Sequence, residues 1–397
     1  MDPVIVVGAG PVGLTAALAL RSYGLPVTLL EADPQDRTRP GSRALFVHRS
    51  SLRLLETASP GLGRELAGHG VVWRTRRTLY GGREVYRRTY PASPPGELPP
   101  FTSLRQVETE RHLLGAAKAA GVRIVWGAPV TGAESSGDGV TLHAGGEPFR
   151  ARYVVAADGA RSGVRRALGI GMQGDRAEGF HVVVDVEDDK AADTREFHYE
   201  HPAMGGRNVL RVPFAGGFQV DLQCHDGDDP DRFAGAEQAR RWLPRVVGPG
   251  YEDAILWVSK YHYLQVLADA FADPYHRVLL AGEAAHLFPP FGARGMNSGM
   301  ADADAAAVAV VAALAATNPA RAAEAVERYG RDRRAAAVHN SAAVGSALKH
   351  LKPSRADLLR HRAAARLAPV APRFGDWLEH APYGPRSGPT GNPHGKY

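Results

Sequence analysis

Two patterns of hydrophobic positions divide the chain. Continuous apolar runs predict buried strands at residues 3–7, 27–30 and 277–281. Between residues 176 and 223 apolar and polar residues alternate instead, which predicts antiparallel strands with two different faces. The patterns therefore predict an α/β fold in which a buried layer at the N-terminus is combined with a separate antiparallel sheet.

Helical spacing and shorter strands complete the predicted elements. An apolar helix separates the first two strands and ends at Gly24, so the chain opens with a βαβ unit. The remaining predictions are helices at 51–55, 107–120, 162–168, 296–316 and 319–343, and strands at 122–126, 140–143 and 153–157. From residue 381 onwards the sequence is rich in Gly and Pro and has no apolar pattern, which predicts a tail or a wrapping extension.

Composition narrows the classes of protein that fit these elements. The 397 residues contain one cysteine, Cys224, which excludes an intramolecular disulfide and any zinc site with two cysteine ligands. We interpret Cys224 as a packing residue, and the histidines show no metal-ligand spacing. Only six of the 48 basic residues are lysine, and no stretch has the pattern of a nucleic-acid arm, so we expect no nucleic-acid partner.

We expect no targeting signal at the N-terminus. Its apolar residues run directly into glycine, without the basic region and cleavage site of a secretory leader. The longest apolar run, residues 303–316, is interrupted by Asp304 and is too short and too alanine-rich to span a bilayer. We therefore expect a cytoplasmic protein with no membrane partner.

A glycine motif follows the first predicted strand. Gly8-x-Gly10-x-x-Gly13 permits a tight turn, close approach of the backbone to a pyrophosphate and close helix packing. The helix N-terminus adds free N–H groups and a partial positive charge. Glu31 lies 21 residues after Gly10, where a carboxylate accepts the hydroxyls of an adenosine ribose. These features together predict an adenine dinucleotide site.

A second match to the motif, Gly169-x-Gly171-x-x-Gly174, has the opposite context. It follows a predicted helix and precedes a strand, whereas phosphate binding requires a strand before the glycines and a helix after them. We interpret it as a loop, so a second dinucleotide-binding domain is not expected.

Three further segments coincide with the first motif in order along the chain. They are Asp158-Gly159-Ala160-Arg161-Ser162, RVLLAGEAAH at 277–286 and PPFGARGMNSGMAD at 289–302. With the glycine motif they resemble the single-component flavoprotein aromatic hydroxylases of the p-hydroxybenzoate and phenol hydroxylase type. The resemblance covers about residues 1–345. The residues after it are too few for the thioredoxin-like domain of larger members, so a short form is expected.

The resemblance implies two interleaved domains. An FAD-binding, Rossmann-like domain would comprise residues 1–75, 102–175 and 265–345. An antiparallel-sheet substrate domain would comprise residues 76–101 and 176–264. Residues 346–397 would form a C-terminal helical extension and a Gly/Pro-rich tail.

The resemblance also implies which residues bind FAD. The expected cofactor residues are Gly8, Gly10, Val12, Gly13, Glu31, Arg43, Gln106, Asp158, Glu283, Pro290, Gly295, Met296 and Asn297. Glu283 departs from the family, which has aspartate there, so its contact with the ribityl chain needs a different rotamer or a shifted backbone. Residues 295–297 begin a helix whose free N–H groups suit the negative charge of a reduced flavin.

The implied reaction is hydroxylation of an aromatic, phenolic substrate with NADH or NADPH and O2, through a flavin hydroperoxide. Substrate contacts are expected from Tyr80, Leu210, Phe218, Gln223, Pro289 and Phe291. Candidate catalytic residues are His48, His198, Tyr199 and Pro290, and the sequence does not choose a base among the first three. His286 fits a structural role better than an acid–base role.

Several alternatives stay open at the level of sequence. A flavin-dependent epoxidase or an enzyme of oxidative rearrangement acting on a polyketide would carry the same motifs, and a non-catalytic flavin-binding protein is a third class. A flavin-dependent halogenase would need a Trp-x-Trp-x-Ile-Pro segment, which the sequence lacks. The sequence also leaves open NADH versus NADPH, a free versus a carrier-protein-tethered substrate, and a monomer versus a homodimer.

Overall fold

The structure of the protein is a computed structural model that describes residues 1–37, 45–189 and 193–385, without the side chains of 176–178. Its strands are β1 Asp2–Val7, β2 Val27–Leu30, β3 Phe46–His48, β4 Thr75–Tyr80, β5 Arg83–Thr89, β6 Phe101–Ser103, β7 Arg123–Val125, β8 Val130–Ser136, β9 Gly139–Ala144, β10 Glu147–Ala156, β11 Met172–Glu187, β12 Thr194–His201, β13 Arg207–Phe214, β14 Gly217–Gln223, β15 Ile255–Ala268, β16 Val278–Leu280 and β17 His286–Leu287. Its helices are α1 Pro11–Ser22, α2 Arg49–Ala58, α3 Leu62–His69, α4 Gln106–Ala119, α5 Gly163–Ala167, α6 Ala236–Trp242, α7 Pro244–Val247, α8 Arg294–Ala315, α9 Pro319–Leu351, α10 Arg355–Leu367 and α11 Pro372–His380.

The first sheet contains the predicted βαβ unit. Strands β7, β2, β1, β10 and β16 run parallel in this order, and the first half of β10 also pairs antiparallel with β9, which continues to β8. Val4, Ile5 and Val6 are completely buried, as expected for a strand covered on both faces. The predicted α/β fold class is therefore confirmed.

The second sheet has eight strands in the order β17-β15-β11-β14-β13-β12-β4-β5. All its pairs are antiparallel except β12 with β4. Its strands come from 75–89, 172–268 and 286–287, and those of the first sheet from 2–30, 123–156 and 278–280, so the two sheets interleave along the chain. The domain boundaries given above remain a prediction.

The two faces of the second sheet are covered differently. On the outer face Val182, Val184, Val220 and Leu222 pack against Trp242 of α6. The opposite face, here called the inner face, is directed to the C-terminal helices and to the turn before α8. The inner face includes Arg76, Thr78, Tyr80, His181, Arg195, Phe197, Tyr199, Leu210, Asp221, Gln223, Trp257, Ser259 and Tyr261.

The C-terminal segment extends over the second sheet. Helix α11 lies on β4 and β5, and Gly375 approaches Tyr86 so closely that an added Cβ would lie 2.2 Å from its ring. At Gly384 an added Cβ would lie 2.1 Å from the carbonyl oxygen of Ala343 in α9. This segment therefore lies on the sheet at α11 and on α9 at Gly384, and residues 386–397 lie outside the described part.

Helix α8 is longer than the apolar run recognised in the sequence. With the turn before it, Phe291–Ala315 is a longer stretch than the run 303–316 and is long and apolar enough to cross a membrane by length and composition alone, a property that buried core helices share. Half of its most apolar window is buried inside the protein, where α8 packs against α1 and α9.

Candidate active site

The three glycines of the first motif have different reasons to lack a side chain. Gly8 has a φ of +99°, and a Cβ on it would lie 2.5 Å from the carbonyl oxygen of Ala157. A Cβ on Gly13 would lie 1.8 Å from the carbonyl oxygen of Gly8. A Cβ on Gly10 would meet no atom within 4 Å. The chain itself thus requires Gly8 and Gly13, whereas Gly10 keeps the turn open to a ligand.

Glu31 follows β2 and lies directly beside this turn. Its carboxylate accepts hydrogen bonds from the backbone N–H of Ala9 at 2.6 Å and of Asp33 at 3.0 Å. Burial alone would raise the pKa of Glu31, but these bonds and the Arg37 guanidinium together lower it. The carboxylate is therefore ionised and fixed in position at neutral pH.

Arg37 is a residue of this region that the sequence pattern did not reveal. Its guanidinium lies 2.6 Å from Glu31, donates to the carbonyl oxygen of Ala9 at 3.1 Å and lies over the ring of Trp126 at 5.6 Å. The motif specifies an acid at the strand end, but no spacing rule points to a basic residue six positions later.

The first turn of α1 packs against α8 and the Gly282 turn. Val12, in the first turn of α1, contacts both Gly282 and Gly299, because an added Cβ would lie 2.9 Å and 2.5 Å from its Cγ2. Gly282 also has a φ of +61°. Val12 therefore packs the start of α1 against the Gly282 turn and the second turn of α8.

The turn before α8 is strained. Gly292 has a φ of +74°, and Ala293, the N-cap residue, has a φ of +53°, which is unfavourable for a residue with a side chain. Helix α8 begins at Arg294, so the first N–H groups, including those of Gly295 and Met296, have no partner within the helix. These are the backbone donors that the sequence predicted to meet the flavin.

Asn297 connects the start of α8 to β3. Its side-chain oxygen accepts from the backbone N–H of His48 at 2.9 Å and from the Ser51 hydroxyl at 2.7 Å, and its amide donates to Phe46 and Ala293. The side chain is therefore engaged within the protein. Only the backbone of Asn297 is left for the predicted cofactor contact.

Asp158, one of the expected cofactor residues, lies against the glycine turn. Its Cα would be 3.1 Å from a Cβ on Gly8, and one carboxylate oxygen accepts from the N–H of Val164 at 3.1 Å. The other oxygen, Oδ1, is buried and has no hydrogen-bond partner in the described part of the chain. Asp158 thus caps α5 and leaves one acceptor beside the turn.

The remaining cofactor candidates are less well defined by their contacts. Gln106 is the first residue of α4 and donates to Glu110 at 2.9 Å. Glu283 is exposed in the short turn that follows β16. Pro290 starts the turn before α8, and its carbonyl accepts from the N–H of Ala293. Arg43 lies outside the described residues.

His286 has the contacts of a structural residue. Its Nε2 lies 2.7 Å from Asp302, which also accepts from the N–H of Gly282 at 3.0 Å and from Arg333 at 2.6 Å. Burial alone would raise the pKa of Asp302, but His286 and Arg333 hold it below its ordinary value. Asp302 therefore attaches the Gly282 turn to α8.

The predicted substrate residues that belong to the second sheet do not all lie on the same face. Tyr80, Leu210 and Gln223 lie on the inner face, and Tyr80 stacks on Tyr199 at 5.7 Å. Phe218 lies on the outer face against Tyr251, so its position does not support the predicted substrate contact. Strand alternation separates the faces, but it does not say which face is directed to the site.

Phe291 connects the turn before α8 to the inner face. It follows Pro289 and Pro290, and its ring lies 5.7 Å from both His181 and Tyr263. The backbone donors at the start of α8 and the inner face therefore meet at one aromatic residue.

The surroundings of His48, His198 and Tyr199 do not favour any of them as the base. Burial and nearby Arg294 lower the pKa of His48 to about 4. His198 is directed to the outer face, where it lies 3.4 Å from Glu196. Burial raises the pKa of Tyr199 well above its ordinary value, and its hydroxyl donates to the carbonyl of Leu378 at 2.6 Å.

The inner face carries buried polar atoms that have no hydrogen-bond partner in the described part of the chain. They are Thr78 Oγ1, His181 Nε2, the three guanidinium nitrogens of Arg195, Trp257 Nε1 and Ser259 Oγ. Buried polar groups are nearly always satisfied, by protein, water or ligand. This concentration makes the inner face the candidate surface for a polar ligand.

One group of metal-ligand type occurs among the described residues, Asp376, Glu379 and His380 of α11. Arg76 lies 2.8 Å from Glu379, and Arg88 lies 2.5 Å from Asp376. Because both carboxylates are already paired with arginine, we assign the group to the ion pairs that hold α11 on β4 and β5.

Comparison with known protein families identifies the chain. The family described as FAD binding domain matches residues 1–342. The chain belongs to the FAD-binding domain family. FAD is accordingly its cofactor, and the resemblance to flavoprotein hydroxylases read from the sequence is confirmed.

Two curated relatives of this flavoprotein are hydroxylating enzymes by name. One is the 3-(3-hydroxy-phenyl)propionate/3-hydroxycinnamic acid hydroxylase of Mycobacterium avium, 30% identical over 76% of the chain and 53% of that protein. Another is the 12-dehydrotetracycline 5-monooxygenase/anhydrotetracycline 6-monooxygenase of Streptomyces rimosus, 31% identical over 83% of the chain and 66% of that protein. The flavoprotein thus spans about half the length of the first of these relatives.

A solved structure resembles the flavoprotein over nearly its full length. The p-nitrophenol 4-monooxygenase of Pseudomonas putida superposes with a TM-score of 0.77 at 25% identity, covering 98% of this chain and 99% of that one.

The residues of the glycine turn fit FAD. The open position at Gly10 and the N-terminus of α1 suit a pyrophosphate. Glu31 is ionised at the end of β2, where the ribose is expected. The free N–H groups of α8 suit a flavin edge that becomes negative on reduction.

Proposed function

We propose that this flavoprotein is a monooxygenase that uses NADH or NADPH and O2 to hydroxylate a phenolic ring. The observation that carries the proposal is Phe291, which joins the backbone donors of α8 to the inner face with its unpartnered polar atoms. A substrate on this face would lie next to a flavin placed at the start of α8. The names of the relatives support hydroxylation as the reaction.

The residues of the chain divide the task between them. When bound, FAD supplies the redox chemistry and the activation of oxygen. The N–H groups of Gly295 and Met296 stabilise negative charge on its ring without a titrating side chain. The inner face orients the aromatic ring through its polar atoms, while α10 and α11 cover this face and exclude water.

The remaining features of the proposal follow from sequence and family. The substrate would be a small aromatic compound, free or tethered to a carrier protein, and the protein a cytoplasmic monomer or homodimer. FAD binding and substrate binding would belong to the two interleaved domains predicted from the sequence.

A second candidate substrate is polycyclic. The Streptomyces rimosus relative, which covers more of this chain than the Mycobacterium avium hydroxylase, acts by its name on tetracycline precursors. The same site would then oxygenate a larger fused-ring compound instead of a simple phenol.

The test compares two phenylalanines on opposite faces of the second sheet. FAD-loaded protein should oxidise NADH or NADPH faster with a phenol or a fused-ring phenol from a panel. Phe291→Leu should raise KM or release peroxide in place of product, whereas Phe218→Leu should preserve the coupling of reductant to product. Failure to take up FAD, or no stimulation by any compound, would contradict the proposal.

A further inference from the structure

A histidine–carboxylate pair lies on the inner face, apart from the predicted bases. Nδ1 of His181, on β11, is hydrogen-bonded to Oδ1 of Asp221, on the neighbouring β14. The hydroxyl of Tyr261 donates to the other oxygen of Asp221 at 3.2 Å. An ionised carboxylate only accepts hydrogen bonds, so an imidazole in its neutral form here carries its proton on Nδ1 and the lone pair on Nε2.

No group in the described part of the protein forms a hydrogen bond with this lone pair. Nε2 of His181 is buried and has no hydrogen-bond partner there. Three rings surround the imidazole: Tyr261 stacked at 5.5 Å, Tyr263 edge-on at 5.0 Å and Phe291 edge-on at 5.7 Å. Phe291 belongs to the turn before α8, so the lone pair lies where the inner face meets the expected flavin edge.

We propose that His181, positioned by Asp221, is the base that ionises the bound phenol. The proposal rests on the proposed function. The O–H bond of the phenol breaks, its electron pair stays on oxygen, and the proton forms an N–H bond at Nε2. The imidazolium then lies beside the Asp221 carboxylate, which stabilises its charge. The phenolate is more electron-rich than the phenol and is the better acceptor of an electrophilic oxygen.

The other titratable groups around His181 do not replace it. Burial raises the pKa of Tyr263 well above its ordinary value, so its hydroxyl keeps its proton. Burial also raises the pKa of Cys224 to about 12, so this thiol stays protonated and fits the packing role expected from the sequence. Tyr261 is already engaged with Asp221.

The competing interpretation is that His181 and Asp221 only join β11 to β14. A nitrophenol separates the two interpretations, because its phenolate is yellow and its phenol is not. Bound to oxidised, FAD-loaded protein without NAD(P)H, below the pKa of the free nitrophenol, it should show the phenolate band in a difference spectrum.

His181→Gln should bind the nitrophenol without this band, and Asp221→Asn should reduce the band. The matched control is His262→Gln, because His262 lies on β15, which pairs with β11, but packs on Phe180 of the outer face. The control should keep the full band. FAD content and circular dichroism establish that each variant is folded.

Steady-state kinetics give a second readout. His181→Gln should lower kcat/KM by about 10²–10⁴-fold at neutral pH, and activity should recover as the pH rises through the pKa of the phenol. A bound nitrophenol equally ionised in wild type, His181→Gln and Asp221→Asn would overturn the inference and leave the hydroxylase standing. If no phenol binds to wild type, the proposed function fails and the inference with it.

Discussion

Single side chains set the chemistry at both ends of the site. At the predicted adenosine end, the position of Glu31 beside the glycine turn followed from a strand, a glycine motif and an acid at fixed spacing. At the substrate end, the three predicted bases were chosen by residue type alone. Sequence gives no strand register, and register puts His198 on the outer face and His181 next to Asp221.

Burial of His350 predicts a pH dependence of stability. Its ring lies 4.2 Å from that of His361, and its Nε2 contacts the Tyr199 hydroxyl at 2.9 Å. Burial, with a further effect of His361, lowers the pKa of His350 from 6.5 to about 3. A lowered folded-state pKa contributes stability above the unfolded value, and this contribution is lost as the pH falls.

We therefore expect the melting temperature to fall as the pH drops from about 6.5 towards 4. His350→Gln should reduce this slope, whereas His143→Gln, at an exposed position on β9, should leave it unchanged. Thermal unfolding at several pH values measures both, and equal slopes in wild type and His350→Gln would contradict the assignment.

At the scale of elements, the pattern of apolar positions located the strands and helices of the first sheet well. Helix α8 begins at Arg294, near the predicted start, because its apolar spacing is regular. The same pattern did not reveal that α9 continues to Leu351 or that α11 lies on β4 and β5. Those contacts depend on Gly375 and Tyr86, which no local rule connects.

The strained turn at the start of α8 gives a prediction for this element. Ala293 has a φ of +53°, which a β-branched residue tolerates poorly. Ala293→Val should destabilise the protein by about 1–3 kcal/mol and weaken FAD binding. Ala293→Gly is the matched control, because glycine adopts this conformation freely and should preserve both properties. Equal FAD affinity in the two variants would contradict a role for the turn.

Over the whole molecule, ion pairs fasten the C-terminal segment to the second sheet. Glu379 of α11 pairs with Arg76 at 2.8 Å and approaches Arg195, which is completely buried, at 3.9 Å. Sequence could not predict these pairs, since they join residues far apart in the chain. The resemblance predicted a C-terminal helical extension, but not where it lies.

Loss of this carboxylate should destabilise the fold. Glu379→Gln leaves buried Arg195 without its charge partner, and breaking a buried ion pair costs about 3–5 kcal/mol. Glu237→Gln removes the exposed pair with Arg241 on α6, at 3.0 Å, and should cost less than about 1 kcal/mol. Urea unfolding of both variants measures the difference, and similar losses would show that Arg195 does not depend on Glu379.

The most direct test of the account traces isotopically labelled oxygen from O2 into the product. FAD-loaded protein, NADH or NADPH, a stimulating phenol and heavy-isotope O2 are combined, and the product is analysed by mass spectrometry. The account predicts a product that has gained one oxygen atom from O2, formed in step with the reductant consumed. Reductant oxidation that yields peroxide and never an oxygenated product, across the phenol and fused-ring panel, would contradict it.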